Sequence, residues 1–529
     1  MIRSILSAFT YTFSFTFAFV ANAATAQAPS VNYTTPAAVA PGKETTVTFF
    51  GENLAGATGL WTSFPCQTAR APEIDNNGTN TGKVGFHFTL SKDVPVSIGA
   101  MRLVTTNGIS SLRLLMIDNL PSVIATGKNR AMQTAQELKL PVAIDGNCDE
   151  LNSDYFQFEA RKGQRVSIEV VAARLGSALD PLLRLLDSRG RELAYAEDTP
   201  GAGVDARISY KFPAAGRYFL ELRDSRYQGG LKHRYRMRVG DFPLTTIPFL
   251  PVESRDVLTS AKPLKETTEI EPNDTAAMAT KISVPSSLKG QFAKPKDRDF
   301  YEFTAQKGQR LIIAGKTRSL GSPCDLFMRI SKADGSQLAE ANVNGPDEGS
   351  ITNTFAEAGS YRLMVEELNL QGGSELQYRV EVKPYEPGFA LSVETEKVNA
   401  APGGSFEMKV TAVRREFDGP ITLLLAGAES SFVLTNNIII DAKTNATQLQ
   451  VTLPMELKPG QFTNLSIVGQ AKIGEATFSA TASTMPALRK LFPQMPYPPE
   501  ELDGLIGLGT KASAKSTETK PVEAKPAEK

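Results

Sequence analysis

The chain has 529 residues, and because a single hydrophobic core does not grow to that size, we expect about three to five domains. Apolar residues make up 41% of the chain and charged residues 22%, which are proportions typical of globular proteins. Lys and Arg together number 57, as do Asp and Glu, so the formal net charge is zero. Because non-specific binding to nucleic acids or anionic membranes requires a basic surplus, this balance argues against both functions.

The N-terminus has the pattern of an export signal. Arg3 precedes an apolar stretch from Ile5 to Val20, and the small residues of Ala21-Asn22-Ala23 follow it. This pattern predicts a Sec-type signal peptide over residues 1–26. The stretch is short for a bilayer span and no other stretch is long enough, so we expect no transmembrane segment in the mature chain. An uncleaved anchor is the alternative to an exported protein that is periplasmic, cell-surface or secreted.

Two segments of the chain repeat at a fixed spacing. Asp154-Tyr-Phe-Gln-Phe158 recurs as Asp299-Phe-Tyr-Glu-Phe303, an offset of 145 residues. Lys162-Gly-Gln164 recurs as Lys307-Gly-Gln309 at the same offset, and further anchors follow at an offset of 143. Inside the repeats, apolar residues alternate with polar ones between glycine turns, which predicts many short strands of an antiparallel β-sandwich.

The order of these motifs resembles the bacterial pre-peptidase C-terminal (PPC) domain. Residues 266–383 carry the whole pattern, which opens with Glu-Pro-Asn-Asp, whereas residues 122–240 have Gly-Lys-Asn-Arg at the opening. The resemblance implies two jelly-roll-like sandwiches, of a type usually appended to secreted proteases and other surface enzymes. It also implies a likeness to collagen- and carbohydrate-binding modules.

The flanking segments are also predicted to be β-structure. Residues 30–118 resemble IPT/TIG immunoglobulin-like domains, and residues 388–485 alternate like a further immunoglobulin-like sandwich. The Pro-rich residues 241–265 are interpreted as a linker, and residues 486–529 as a Pro-rich and low-complexity disordered tail. The predicted fold class is therefore all-β, a multidomain string of antiparallel β-sandwiches of the immunoglobulin-like and jelly-roll-like types. The odd number of cysteines predicts free or buried thiols at Cys66, Cys148 and Cys324.

Nothing in the sequence carries the pattern of a catalytic centre. The two histidines, His87 and His233, lie in a predicted strand and a predicted hairpin, without a His-Glu-x-x-His helix or a Gly-x-Ser-x-Gly elbow. We therefore predict no catalytic residues and a non-catalytic binding or scaffold protein for extracellular polysaccharide or protein. An accessory component of a secreted peptidase is the first alternative, and an unrecognised hydrolase is the second.

The candidate cofactor is calcium. Hard oxygen ligands are dense just before the second repeat and at the start of its first long strand, a composition that suits Ca²⁺. By resemblance, some collagen-binding relatives ligate calcium with acidic residues of these two segments. The alternative is that Pro-Asn-Asp only marks a turn or a helix cap. The first repeat lacks the opening acids, and no site is expected there. The predicted ligands are Glu269, Glu271, Asn273, Asp274, Asp297 and Asp299.

Overall fold

The computed structural model describes residues 27–199, 201–252, 264–342, 348–427 and 432–513. Nearly all regular structure in these residues is β-strand, arranged in several separate sheets, so the all-β prediction is confirmed. Within the same residues, no helix combines the length and the apolar character needed to cross a membrane. The predicted signal peptide, residues 1–26, lies outside the described residues. The three cysteines are free.

The N-terminal module is a sandwich of two sheets. Its strands are β1 (Ser30–Thr35), β2 (Ala38–Val39), β3 (Glu44–Glu52), β4 (Ala57–Thr62), β5 (Gln67–Arg70), β6 (Lys83–Thr89), β7 (Ser97–Thr105), β8 (Gly108–Ile109) and β9 (Arg113–Ile117). One sheet has the order β1-β3-β6-β5 and the other β2-β9-β7-β4, with β8 beside β7. Alternate residues such as Phe49 and Phe88 point between the sheets and form the core.

The first repeat is a sandwich of two five-stranded sheets. Its strands are β10 (Ser122–Ile124), β11 (Gln136–Glu137), β12 (Val142–Asn147), β13 (Asp154–Ala160), β14 (Arg165–Val171), β15 (Pro181–Leu186), β16 (Glu192–Ala196), β17 (Arg207–Lys211), β18 (Gly216–Asp224) and β19 (Arg234–Gly240). Short 3-10 helices lie at Met132–Thr134 and Ala173–Leu175. The strand orders are β10-β12-β19-β14-β17 and β11-β13-β18-β15-β16.

The second repeat has the same architecture. Its strands are β20 (Lys265–Thr268), β21 (Thr280–Lys281), β22 (Ser286–Gln291), β23 (Arg298–Ala305), β24 (Arg310–Lys316), β25 (Leu326–Lys332), β26 (Gln337–Asn342), β27 (Ser350–Thr354), β28 (Gly359–Glu367) and β29 (Gln377–Pro384). Short 3-10 helices lie at Ala276–Met278 and Arg318–Leu320. The orders β20-β22-β29-β24-β27 and β21-β23-β28-β25-β26 match those of the first repeat strand for strand.

The C-terminal module pairs ten strands and ends in a short helical segment. Its strands are β30 (Gly388–Val393), β31 (Lys397–Ala400), β32 (Ser405–Arg415), β33 (Ile421–Ala426), β34 (Val433–Asn436), β35 (Ile439–Ile440), β36 (Ala446–Thr452), β37 (Phe462–Ile473), β38 (Ala476–Ser483) and β39 (Ile506–Thr510). Between β38 and β39 lie helix α1 (Met485–Leu491) and a 3-10 helix at Glu500–Leu502. The strand path is β31-β39-β37-β38-β30-β32-β36-β34, and β33 pairs with β35 and β37.

The prediction of a disordered tail over residues 486–529 is wrong for the residues up to about Thr510. Leu488, Phe492 and Leu502 are buried, and β39 pairs with both β31 and β37. The prolines between residues 493 and 499 remove any regular periodicity, yet single apolar side chains on either side of them still reach the core. Residues 514–529 lie outside the described residues.

The predicted linker, residues 241–265, is not a free spacer in its first half. The N–H of Ile98 donates to Pro248 O and the N–H of Leu250 donates to Ile98 O, each at 2.9 Å. Ile247 and Phe249 pack against an apolar cluster shared by three segments. Proline keeps this backbone extended, and an extended backbone can still pair with the edge of a sheet. Residues 253–263 lie outside the described residues.

The modules pack against one another through a shared apolar cluster. It combines Leu114 and Met116 of the N-terminal module with Val171 of the first repeat and with Leu488 and Phe492 of the C-terminal segment. Burial of such side chains stabilises contacts by about 25 cal/mol per Å² of apolar surface. Residues 28–513 accordingly form one compact unit.

A buried ion pair also joins the first and last modules. Arg102 Nη1 lies 2.5 Å from Glu396 Oε2, and Arg102 Nη2 donates to Glu396 O at 2.9 Å. The arginine is 2% exposed, so neither charge has water as a substitute partner. The single tryptophan, Trp61, lies at the same junction, with its ring centroid 5.5 Å from that of Phe462.

We predict that Arg102→Met lowers the free energy of unfolding by about 3 kcal/mol, because it leaves Glu396 buried without its partner. Urea unfolding followed by Trp61 fluorescence reports this junction directly. The control is Arg329→Met, which breaks the exposed Arg329–Glu340 pair and is expected to cost less than about 1 kcal/mol. Equal effects of the two substitutions would contradict the structural role of Arg102.

Candidate metal site

The opening segment of the second repeat lies against the start of β23. The N–H of Glu269 donates to Lys289 O in β22 at 2.9 Å, and the N–H of Phe300 donates to Asn273 O at 3.0 Å. These bonds hold the opening segment beside Asp297 and Asp299. The structure thus places all six predicted ligands in two neighbouring segments of the second repeat.

Four predicted ligands form the centre of what we call the acidic cluster: Glu271, Asn273, Asp297 and Asp299. One carboxylate oxygen from each of the three acids lies within 4.8 Å of the other two. The Asn273 amide lies between two of them, and its nitrogen can donate to Asp299 Oδ1 at 2.8 Å and Glu271 Oε2 at 3.1 Å. All members except Glu271 are buried, so their oxygen atoms converge at the end of the sandwich with little access to water.

The other two predicted ligands, Glu269 and Asp274, are held at the margin of the cluster. Glu269 Oε1 accepts from the N–H of Gln291 at 2.9 Å. Asp274 Oδ2 accepts from Lys294 Nζ at 3.0 Å, and the same ammonium lies 3.8 Å from Asp297 Oδ1. Lys294 is therefore the one cation that reaches these carboxylates among the described residues.

Two tyrosines that sequence analysis did not single out as functional lie beneath the cluster. The Tyr378 hydroxyl is 2.6 Å from Asp299 Oδ2 and 3.1 Å from Glu269 Oε2, and Tyr301 hydroxyl lies 2.7 Å from that of Tyr378. Both hydroxyls are buried; that of Tyr378 contacts one oxygen of each acid, and that of Tyr301 contacts Tyr378. Strand alternation places these rings in the core, but it does not show that their hydroxyls reach the opening segment.

The acids of the cluster repel one another. Burial, together with the nearby charge of Glu269, raises the pKa of Asp299 to about 8. Burial also raises the pKa of Asp297 and of Glu269, and the charge of Glu271 adds to both shifts. Such shifts mean that the ionised carboxylates lack sufficient positive charge around them.

The residues present fit a bound Ca²⁺. Every donor in the cluster is a carboxylate or amide oxygen, which is the ligand type that calcium prefers. Asp297 Oδ1 is buried and accepts no hydrogen bond from the described residues. Glu271, Asp297 and Asp299 would hold the ion directly, with Asn273, Glu269 and Asp274 at its margin.

The first repeat provides an internal comparison. The N–H of Tyr155 donates to Asn129 O at 2.7 Å, as Phe300 does to Asn273, so Arg130 stands where the second repeat has Asp274. The guanidinium of Arg130 pairs with both Asp149 and Asp154. The opening segment and the next long strand therefore meet around an arginine in the first repeat, whereas in the second repeat they meet around a cluster of acids.

Residues 152–224 match the model of the bacterial pre-peptidase C-terminal domain. The PPC resemblance is thereby confirmed for the first repeat. A stretch of 70 residues is 40% identical to a probable subtilase-type serine protease of Deinococcus radiodurans, covering 13% of this chain and 9% of that protein.

Two solved structures resemble parts of the chain. The pre-peptidase C-terminal domain of a Bacillus anthracis collagenase is 17% identical, covering 20% of this chain and 93% of that one, with a TM-score of 0.17. A DUF4785 family protein of Legionella pneumophila is 14% identical, covering 38% and 60%, with a TM-score of 0.14.

We predict that Arg130→Met destabilises the protein by about 3 kcal/mol at pH 8, because the buried Asp154 loses its counter-ion. Burial already raises the pKa of Asp154 to about 6. A raised carboxyl pKa costs stability as pH rises through it, so the deficit should be small at pH 5, where Asp154 is protonated. Urea unfolding at the two pH values measures this difference. The control is Lys294→Met in the second repeat, and a pH-independent deficit for Arg130→Met would contradict the ion-pair explanation.

Proposed function

We propose that this chain is a non-catalytic, exported binding protein whose second repeat binds Ca²⁺. The observation that supports the metal is the contrast between the repeats. Arg130 balances the acids of the first, whereas among the described residues Lys294 is the one cation that lies near any of the five carboxylates of the second. Bound calcium would supply the missing positive charge. It would join the opening segment to the start of β23 and so fix the position at which the chain enters the second repeat.

The surroundings of the two histidines support a role without catalysis. His87 Nδ1 lies 3.1 Å from Thr46 Oγ1, and its Nε2 lies 3.2 Å from Glu73 Oε2 on the outer face of a sheet. His233 is 9% exposed, and neither of its ring nitrogens has a hydrogen-bond partner among the described residues. A catalytic histidine needs a nucleophile whose proton it can take. The Thr46 hydroxyl beside His87 instead donates to Glu73 Oε1 at 3.2 Å, and His233 has no such group within reach among the described residues.

A second function, that of an accessory component of a secreted peptidase, is favoured by one observation. A stretch of 70 residues of this chain is similar to part of a Deinococcus protein that is described as a probable subtilase-type serine protease. This chain spans only 9% of that relative, so the proposal concerns partnership with a peptidase and not peptidase activity.

We predict that calcium stabilises the full chain and that Asp297→Asn abolishes the effect. At a calcium concentration 100-fold above the dissociation constant, binding contributes about 2.7 kcal/mol, which is about 10 °C for a domain of this size. Calorimetric titration of the EDTA-treated chain should give heat for the parent and none for the variant. Without calcium, the variant should melt no lower than the parent, because it removes one of several repelling carboxylates.

The matched control is Glu302→Gln, which lies on β23 outside the acidic cluster and should keep both heat and stabilisation. Absence of heat in the parent chain at millimolar calcium would remove the metal from the proposal. Retention of heat in Asp297→Asn would move the ion away from the acidic cluster.

We also predict that the full chain releases no peptides from casein. The physical reason is that the hydroxyl beside His87, that of Thr46, donates to Glu73 Oε1 at 3.2 Å, and His233 has no hydrogen-bond partner among the described residues. Hydrolysis that co-purifies with the chain and disappears in His87→Ala or His233→Ala would contradict this prediction and favour an enzyme.

A further inference from the structure

An open groove of about 900 Å³ lies at one end of the first repeat. It forms where the chain leaves β11 and crosses to the other sheet, which uncovers the last residues of β13. Its lining is largely polar and comes from three segments: residues 137–140, residues 157–164 and residues 215–217. The groove lies in the first repeat, away from the acidic cluster of the second.

The groove and its border carry six cations, which we call the basic end. Four of them line the groove, and two more lie opposite each other on the paired strands β14 and β17 beside it. Within the described parts of the chain only Arg217 has a carboxylate partner, Glu159, at 3.2 Å. The six residues are Lys139, Arg161, Lys162, Arg165, Lys211 and Arg217.

The second repeat lacks this charge at the same positions. Strand register matches the six cations to Ser283, Gln306, Lys307, Arg310, Thr354 and Ser360. Of the two cations among these, Arg310 lies over the ring of Tyr385 at 3.9 Å and pairs with Glu416. Because the framework is the same in both repeats, the fold does not require the basic end.

The charge of the two repeats differs accordingly. Residues 122–240 contain 19 Lys and Arg against 15 Asp and Glu, whereas residues 266–383 contain 14 against 17. The basic end holds six of the cations with only Glu137 and Glu159 among the lining acids, so the positive excess of the first repeat is concentrated there. Several cations of one sign along a groove raise the local concentration of a polyanion.

We propose that the basic end binds an anionic polysaccharide, one that carries carboxylate groups along its chain. This inference rests on the binding role proposed above and names its ligand class. The lining has no exposed aromatic ring on which a neutral sugar could stack, since Phe158 is buried. The uncovered edge of β13, Phe158–Ala160, is short for the addition of a peptide strand. With aromatic stacking and strand addition excluded, ionic contacts with a repeating anion are the mode of ligand recognition that this groove offers.

The test is binding of the full chain to immobilised polygalacturonate in EDTA, measured by biolayer interferometry at increasing NaCl. EDTA removes calcium that could bridge polygalacturonate chains. The first repeat should not need a metal, because Arg130 already pairs with its acids. We expect binding that weakens steeply with salt, and none to neutral dextran. The variant Lys139→Ser/Arg161→Gln/Arg217→Ser, which carries the residues of the second repeat, should bind about tenfold more weakly with an unchanged melting temperature.

The control variant removes three exposed cations elsewhere, Lys409→Ser/Lys443→Ser/Lys472→Ser, and should bind like the parent. No binding at 50 mM NaCl, equal loss in both variants, or equal binding of poly-glutamate or duplex DNA would each overturn this inference. Calcium stabilisation measured on the same preparation after EDTA is removed separates the two proposals: if it is present while polygalacturonate fails to bind, only the ligand class is wrong.

Discussion

The structure depends on a buried ion pair at the boundary between the N-terminal module and the first repeat. Arg236 Nε donates to Asp118 Oδ2 at 2.9 Å and its Nη1 to Asp145 Oδ1 at 2.8 Å, and all three side chains are buried. Arg238 continues the network to Glu169 at 2.8 Å. Buried charges need their partners in place, so the network fixes Asp118 of the N-terminal module against this sheet of the first repeat. The part of the outer face around Arg236 and Glu169 is thereby buried, whereas Arg165 and Lys211 of the same sheet stay exposed near one end of the sandwich.

Duplication of one sandwich produced two modules that differ mainly in where their charges lie. Both repeats keep the tyrosine that holds the inner aspartate: Tyr235 lies 2.6 Å from Asp154, as Tyr378 does from Asp299. Around this shared contact, the first repeat carries Arg130 and the second carries Asp274. Selection for the fold alone does not account for this exchange, because the core and strand order are the same. The divergence is consistent with the different ligands proposed above for the two modules.

The sequence predicted the features that depend on local periodicity. Alternation and glycine turns identified the strands of both repeats, and the density of acids identified the segments that meet at the acidic cluster. The contact of Arg102 with Glu396 joins residues 294 positions apart, and no local pattern reports such a pair. The hydroxyl of Tyr378 and the ammonium of Lys294 were missed because their role depends on side-chain direction. Comparison of the two openings found Arg130 in place of an acid, but its ion pairs with Asp149 and Asp154 also depend on side-chain direction.

The opening segments explain why charge decides the behaviour of each repeat. Over residues 122–130 and 265–274, only Asn129 and Asn273 are buried, while Ile124 and Ile270 are 60% and 70% exposed. Ala125 is the one apolar side chain of the two segments that packs against a core, so the segments are held mainly by backbone pairing and by polar contacts with the acid at the start of the next long strand. Arg130 supplies the positive charge for that attachment in the first repeat, whereas the proposed calcium would supply it in the second. The core of the second repeat is complete without the ion. The metal would therefore fix the position of the opening segment and leave the two sheets unchanged.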